Sequence, residues 1–205
     1  FVSDANAAAV AGIEAWRDWP MSKMVLVGPA GSGKTHLAHV FCAQSDAQLI
    51  AARDIAAFNP TDLAERQAIA IEDADQIADD HAAQEALFHL HNACAQRNVA
   101  LLVTARSAPA RWGLDLPDLA SRMQQAGQLT LAAPDDRLIA AVLVKLAADR
   151  QMALTPTLLR YILPRIDRSL AHVRDFITRL DAEALADKQK PGLKHVRAIM
   201  ARDLG

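Results

Sequence analysis

The chain has 205 residues, 52% of them hydrophobic, with 22 Lys plus Arg against 24 Asp plus Glu. That composition excludes a disordered chain and a globally basic nucleic-acid binder, although not a local basic patch. No apolar run approaches the roughly 18 residues of a membrane span. Two cysteines, Cys42 and Cys94, are too few for a disulfide framework, so a reduced, cytoplasmic chain is expected.

The first two thirds alternate short apolar runs with helical patterns. Met24–Val27 ends at Gly28, and Gln48–Ala51, Ala68–Ile71, Val99–Val103 and Leu129–Leu131 follow. Runs of this length between helices read as strands of a parallel sheet buried on both faces. Helices are expected from about Asn6 to Trp16, from Lys34 to Gln44 and from Ala82 to Arg97. The alternation predicts a three-layer α/β domain over residues 1–133. From Pro134 onward no strand-like run occurs. Asp135, Thr155-Pro156 and Ser169 are helix starts, and Pro164 and Pro191-Gly192 are interruptions, so 134–205 is expected to be a small helical domain.

The most specific motif is Gly28-Pro29-Ala30-Gly31-Ser32-Gly33-Lys34-Thr35, which matches G-x-x-x-x-G-K-[ST] between a buried run and a helix. Glycines let successive N–H groups curl toward one phosphate, and the positive end of the following helix adds to them. Lys34 can reach the β- and γ-phosphates of a nucleotide, and the Thr35 hydroxyl can ligate Mg²⁺. The acidic element expected at a neighbouring strand end is Glu72-Asp73, after Ala68–Ile71. Glu72 takes the Mg²⁺ place and Asp73 the water-polarising place. Glu is one methylene longer than Asp, and in-line geometry is sensitive to about an ångström. Mg²⁺ binding is therefore expected to survive and intrinsic hydrolysis to be slow. Thr104, after the fourth run, could orient a water near the γ-phosphate; the alternative is a strand-end threonine that makes a local turn bond. Arg122, at a helix end before the last run, can stabilise phosphoryl charge on a neighbouring molecule. Alone it reads as a solvated surface arginine.

Together these residues resemble the AAA+ ATPases of the DnaA family, and most closely its short Hda-like regulators. The resemblance spans nearly the whole chain. Phe1-Val2 and Asn6 resemble the segment that opens this family's module and lies beside the adenine. Gly33 to Leu37 is similar to its phosphate-loop ending, which adds His36 to the nucleotide-binding set. Leu116-Pro117-Asp118-Leu119-Ala120-Ser121-Arg122 is similar to the arginine-finger segment of the Hda-like branch. Ile166 to Leu170 resembles the sensor 2 stretch, so Arg168 would bridge lid and phosphate, with Arg174 as the other register. The Glu72-Asp73 order departs from the family pattern, and Arg106 stands where it often has an acid.

The resemblance implies a AAA+ core with a helical lid, ATP or ADP with Mg²⁺ as cofactors, and a regulator of replication initiation. Such a protein docks on the initiator DnaA and promotes hydrolysis of its ATP through Arg122. The DNA-loaded sliding clamp would be a second partner, through an N-terminal peptide that would precede Phe1. Self-association is left open. Duplex binding is not expected: initiators continue into a helix-turn-helix domain beyond the position of Gly205. They also carry a basic insertion where this chain has residues 52–67, in which Asp54, Asp62 and Glu65 accompany Arg53 and Arg66. The alternatives are a helicase-loader or transposition-helper ATPase, and a small-molecule P-loop kinase, against which the helical tail and the Leu-Ala-Ser-Arg segment argue.

Other signals read as structural. His81, Glu85 and His89 at helical spacing form a solvated face rather than a metal site. Trp16 and Trp19 are expected to pack, Cys42 and Cys94 to be small core residues, and the stretch holding Arg174, Arg179, Lys188, Lys190, Lys194 and Arg197 to be solvated.

Overall fold

A computed structural model describes Ser3 and residues 6–203; Phe1 and Val2, read above as part of the adenine segment, lie outside the described residues. The described residues form two compact units, one over Asn6–Ala132 and one made of Ser3 together with residues 133–203.

The first unit is a five-stranded, all-parallel sheet in the order β2-β3-β4-β1-β5. Its strands are β1 (Lys23–Val27), β2 (Gln48–Ala51), β3 (Ala68–Glu72), β4 (Ala100–Ala105) and β5 (Gly127–Thr130). Its helices are α1 (Ala7–Glu14), α2 (Lys34–Ser45), α3 (Pro60–Leu63), α4 (His81–Arg97) and α5 (Pro117–Gln125). The central strands β1 and β4 are buried along their whole length, and β3 up to Glu72. That is why they read as unbroken apolar runs, as a sheet covered on both faces requires. The edge strand β5 alternates half-buried and exposed residues instead. It begins at Gly127, earlier than the apolar run suggests, and Leu131 only extends the ladder by one bond to the Val27 carbonyl (2.7 Å).

Side chains alternate across the sheet and feed two cores. Val25, Val27, Ile69, Ile71, Leu101 and Val103 face α4 and α5. Met24, Leu26, Ala68, Ala70, Ala100 and Leu102 face α1 and α2. Alanines make the second face shallow, and large rings fill the space above it. Trp19 stacks on Phe41 at 5.1 Å, Trp16 meets the same ring edge-on at 5.9 Å, and Trp19 Nε1 donates to the Gly12 carbonyl at 2.7 Å. Both tryptophans are packing residues. Cys94 is fully buried, whereas Cys42 is only half-buried.

Fully buried Gln84 ties α4 to α5. Its Nε2 donates to the carbonyls of Ile77 (3.1 Å) and Ala78 (2.7 Å), and its Oε1 accepts from the N–H of Leu116, the residue before α5 (3.1 Å). Every strong hydrogen-bonding group of this amide but one lone pair is satisfied, as burial demands.

The second unit contains α6 (Asp136–Ala148), α7 (Pro156–Ile162), α8 (Leu170–Ala186) and α9 (Leu193–Asp203). Asp135, Thr155 and Ser169 cap three of them, accepting from the N–H of Leu138 (2.7 Å), Leu158 (3.3 Å) and His172 (3.4 Å). Leu143, Val173, Phe176, Leu180, Val196 and Ile199 fill the core. The basic stretch is partly neutralised at the surface. Arg179 makes a two-pronged pair with Asp203 (2.6 and 2.8 Å), and Lys194 lies 3.2 Å from Asp187.

Candidate functional site

The site is built where β1 leaves the sheet. The Gly28 N–H donates to the Ala105 carbonyl at 3.1 Å, so the loop starts pinned to β4. A Cβ at Gly28 would lie 2.7 Å from Ser32 Oγ and 2.9 Å from Leu131 Cβ, so only glycine fits. Gly31 and Gly33 hold φ of 72° and 105°, which turns the chain back before α2 begins at Lys34. Pro29 and Ala30 are exposed at the tip, and Thr35 and His36 are exposed on the first turn of α2. Ser32 Oγ is buried with no hydrogen-bond partner among the described residues. A buried hydroxyl without a partner inside such a cradle matches a loop that receives an oxygen-rich ligand.

Lys34 is buried, and its Nζ donates to the carbonyls of Gly28 (2.7 Å) and Pro29 (3.0 Å). Burial pushes its pKa below the usual lysine value, and Asp73, Asp75 and Glu72 oppose that shift. Those acids sit at the end of β3 and in the turn that follows it. Glu72 closes β3, paired with Ala51. Asp73 takes a left-handed turn (φ 55°, ψ 46°), and its N–H donates to Thr104 Oγ1 at 3.1 Å. Thr104 is buried on β4. It bonds across to β3 rather than within its own turn, and accepting that bond leaves the hydroxyl proton able to donate. Thr104→Val removes the acceptor for a half-buried N–H. We expect a loss of about 1–3 kcal/mol in urea unfolding with α2 and β1 unperturbed.

Asp75 escaped the sequence reading. Its Oδ2 accepts from the Arg106 N–H at 3.1 Å, and its Oδ1 is buried without a partner among the described residues. The only sequence signal was an acid two positions after the pair, which means nothing until β4 brings Arg106 beside it. The Lys34 ammonium, bonded to two loop carbonyls and in the field of Asp73, Asp75 and Glu72, stands at the start of α2 where it suits a polyphosphate. No cluster of three metal-ligating side chains exists among the described residues, and His81 instead pairs with Glu85 on the surface at 3.6 Å.

Arg122 lies elsewhere. α5 runs toward Gly127, which pairs with Met24 near the start of β1, whereas the loop follows the far end of β1. Arg122 and the loop therefore serve opposite edges of one sheet. The guanidinium is half-buried, 5.0 Å from the centre of the Phe88 ring, and among the described residues no carboxylate lies within ion-pair distance. It rests on an aromatic face rather than projecting freely, in departure from the exposed arginine expected. Buried His91 stands nearby. Burial first, then Lys23 and Arg122, depress its pKa to about 4. A histidine held neutral in the fold takes up its proton more readily when unfolded, so stability is lost as pH falls from about 6.5 toward 4. The full loss is about 3 kcal/mol. Urea midpoints should drop over that window, and His91→Phe should flatten the drop.

In the helical unit, Arg168 precedes α8 and pairs with Asp136 Oδ1 at 3.0 Å, while Arg174 is exposed on α8. Asn6 is half-buried before α1, and its carbonyl accepts from the Val10 N–H at 2.9 Å.

No family model matches the sequence. Solved structures do resemble the fold. Domain III of the replication initiation protein DnaA from Thermotoga maritima superposes with a TM-score of 0.85 at 18% identity, over 98% of this chain and 93% of that one. AMPPCP-bound DnaA from Aquifex aeolicus gives 0.75 at 14% identity, over 92% of this chain and 67% of that one. A RuvB mutant from Thermotoga maritima gives 0.71 at 17% identity, over 98% and 70%. The chain thus has a DnaA-like AAA+ P-loop NTPase fold: a parallel three-layer α/β core with a helical portion.

Proposed function

We propose that this protein is a nucleotide-dependent AAA+ regulator of replication initiation, which binds ATP or ADP at Gly28–Thr35 and promotes hydrolysis on a partner through Arg122. The observation that carries the nucleotide reading is the loop itself: left-handed turns at Gly31 and Gly33, a buried Ser32 hydroxyl with no partner among the described residues, and a buried Lys34 held on the loop carbonyls of Gly28 and Pro29. The likeness in fold to the AMPPCP-bound initiator supports an adenine nucleotide.

The residues present fit a nucleotide with Mg²⁺. The loop N–H groups would hold the phosphates, with His36 beside them, and Lys34 would exchange the Gly28 and Pro29 carbonyls for phosphate oxygens. The Thr35 hydroxyl and Glu72 carboxylate, both hard oxygen donors, would hold Mg²⁺, which neutralises phosphate charge when bound. Asp73 would aim a water, its backbone held by Thr104. Asn6 would lie on the adenine side, and Arg168 would reach the phosphates from the lid, with Arg174 as the alternative. We assign the lid to 134–205 and the core to 1–133. A Glu-Asp order makes the chain's own turnover slow, so its output is the partner's hydrolysis. The likeness to DnaA domain III supports the initiator as that partner; the sliding clamp as platform and the cytoplasm as location rest on the sequence resemblance alone.

The test has two parts. Calorimetric titration with ADP and ATP, with and without Mg²⁺, should show one site. Capture from a cytoplasmic extract in ADP, in ATP and without nucleotide should retain the initiator in a nucleotide-dependent way. No heat with either nucleotide defeats the loop reading; nucleotide binding with no dependence of capture defeats the regulator reading.

A further inference from the structure

We infer that a groove at the N-terminal edge of the sheet is a second anion site, shaped for a phosphoryl-bearing ligand and separate from the Gly28–Thr35 loop. The groove encloses 680 Å³. Segments distant in sequence converge on it, and three of them each bring one arginine: Arg17 after α1, Arg66 between α3 and β3, and Arg97 at the end of α4. Glu65 is the one carboxylate among the described lining residues. Arg97 Nη1 stands 3.9 Å from it and donates to the Thr61 carbonyl at 3.2 Å. The Arg17 guanidinium lies 4.2 Å over the Trp16 ring. Arg66 has no carboxylate within ion-pair distance among the described residues. Three positive charges thus share one negative charge in a concave surface of a chain whose net charge is −2, so the groove is a local excess of the sign that attracts anions.

The wall of the groove is held in a costly conformation. Ser22 and Asn98, which line it, have φ of 56° and 55°, and Met21 beside them has φ of 51°. Asparagine tolerates the left-handed region; serine and methionine do so reluctantly. The turn fixes the Ser22 hydroxyl where it donates to Asn98 Oδ1 at 2.8 Å, which orients the Asn98 amide with its own N–H donors to spare. Strain kept where donors are being aimed points to a ligand.

The lining chooses among ligands. Its apolar members, Trp16, Ala64, Val99 and Ala100, are all buried, and every exposed lining side chain is polar. A docking peptide would find no open apolar pocket for an anchoring side chain. Arg17 covers the Trp16 face, so a base would find no free platform for stacking. What remains is a fork-shaped donor set matched to the oxygens of phosphate esters, which take paired guanidinium hydrogen bonds at high charge density. A free polyphosphate or the backbone of a nucleic-acid strand supplies that chemistry, and recognition of either would be independent of base sequence.

The experiment uses the full chain carrying Lys34→Ala, which removes the loop lysine as a competing phosphate contact. Tripolyphosphate is titrated by calorimetry and an oligothymidylate by fluorescence anisotropy, with a hexaglutamate peptide as the third arm. We expect at least one phosphate probe to bind. Strand binding with three contacts should weaken about twentyfold between about 50 and about 200 mM salt. Exposed Arg66→Glu should weaken binding about tenfold, and Arg17→Ala should weaken it less. Binding of tripolyphosphate alone identifies a free phosphate compound, and binding of the oligonucleotide identifies a strand. The proposal fails if neither phosphate probe binds, if Arg66→Glu changes nothing, or if hexaglutamate binds more tightly than both.

Discussion

Arg122→Ala should abolish stimulation of ATP hydrolysis on the partner while leaving the protein's own ADP affinity within about twofold. An arginine supplied in trans contributes about 10³–10⁵ to the rate of phosphoryl transfer, because it meets negative charge as it develops in the transition state. Affinity should survive because Arg122 serves the edge of the sheet opposite the loop. To act, the guanidinium must leave the face of Phe88, 5.0 Å away. A cation–π contact at a part-exposed site is worth about 0.5–1 kcal/mol, small against the gain from pairing with a phosphate. Arg122→Lys should not rescue, since an ammonium lacks the planar fork and the same reach. Phosphate release from ATP-loaded initiator, measured with wild-type and mutant protein side by side, decides the matter. A mutant that stimulates normally removes Arg122 from the mechanism.

Lys34→Ala carries the second large effect: ADP affinity should fall about a hundredfold. Hydrogen bonds to charged groups are worth about 1.5–3 kcal/mol, and a tenfold change is about 1.4 kcal/mol. The loss is steep because the ammonium is buried, where interaction with phosphate is less screened than in water. Two loop carbonyls, on Gly28 and Pro29, also lose their charged donor, so the loop itself should loosen. Calorimetry with ADP measures the first effect, and amide exchange over residues 28–33 the second. Unchanged ADP affinity would overturn the role given to the loop.

The phosphate loop could be read directly because its chemistry is contiguous: strand, glycines, lysine and helix follow one another without a gap. Central strands were legible for a related reason, since burial on both faces forces an unbroken apolar run. The edge strand β5 was not, because only alternate residues are covered, and Gly127 and Gln128 gave no apolar signal. What the sequence hid depends on distant segments meeting. Asp75 matters through Arg106, Gln84 through Leu116, and the arginines at positions 17, 66 and 97 share one groove only after three turns fold together. The basic residues that are clustered in sequence lie instead in the 174–197 stretch, which the fold partly neutralises with Asp187 and Asp203.

The amide of Gln84 has a mechanical consequence. It grips the backbone just before α5 by hydrogen bonding, whereas further along the helix is held by the packing of Leu119 and Met123. Directional bonds resist sliding, while a greasy contact tolerates small rotations. α5 therefore starts from a fixed point at Leu116, and the height at which Arg122 meets the Phe88 ring is set by its distance along the helix from that bond.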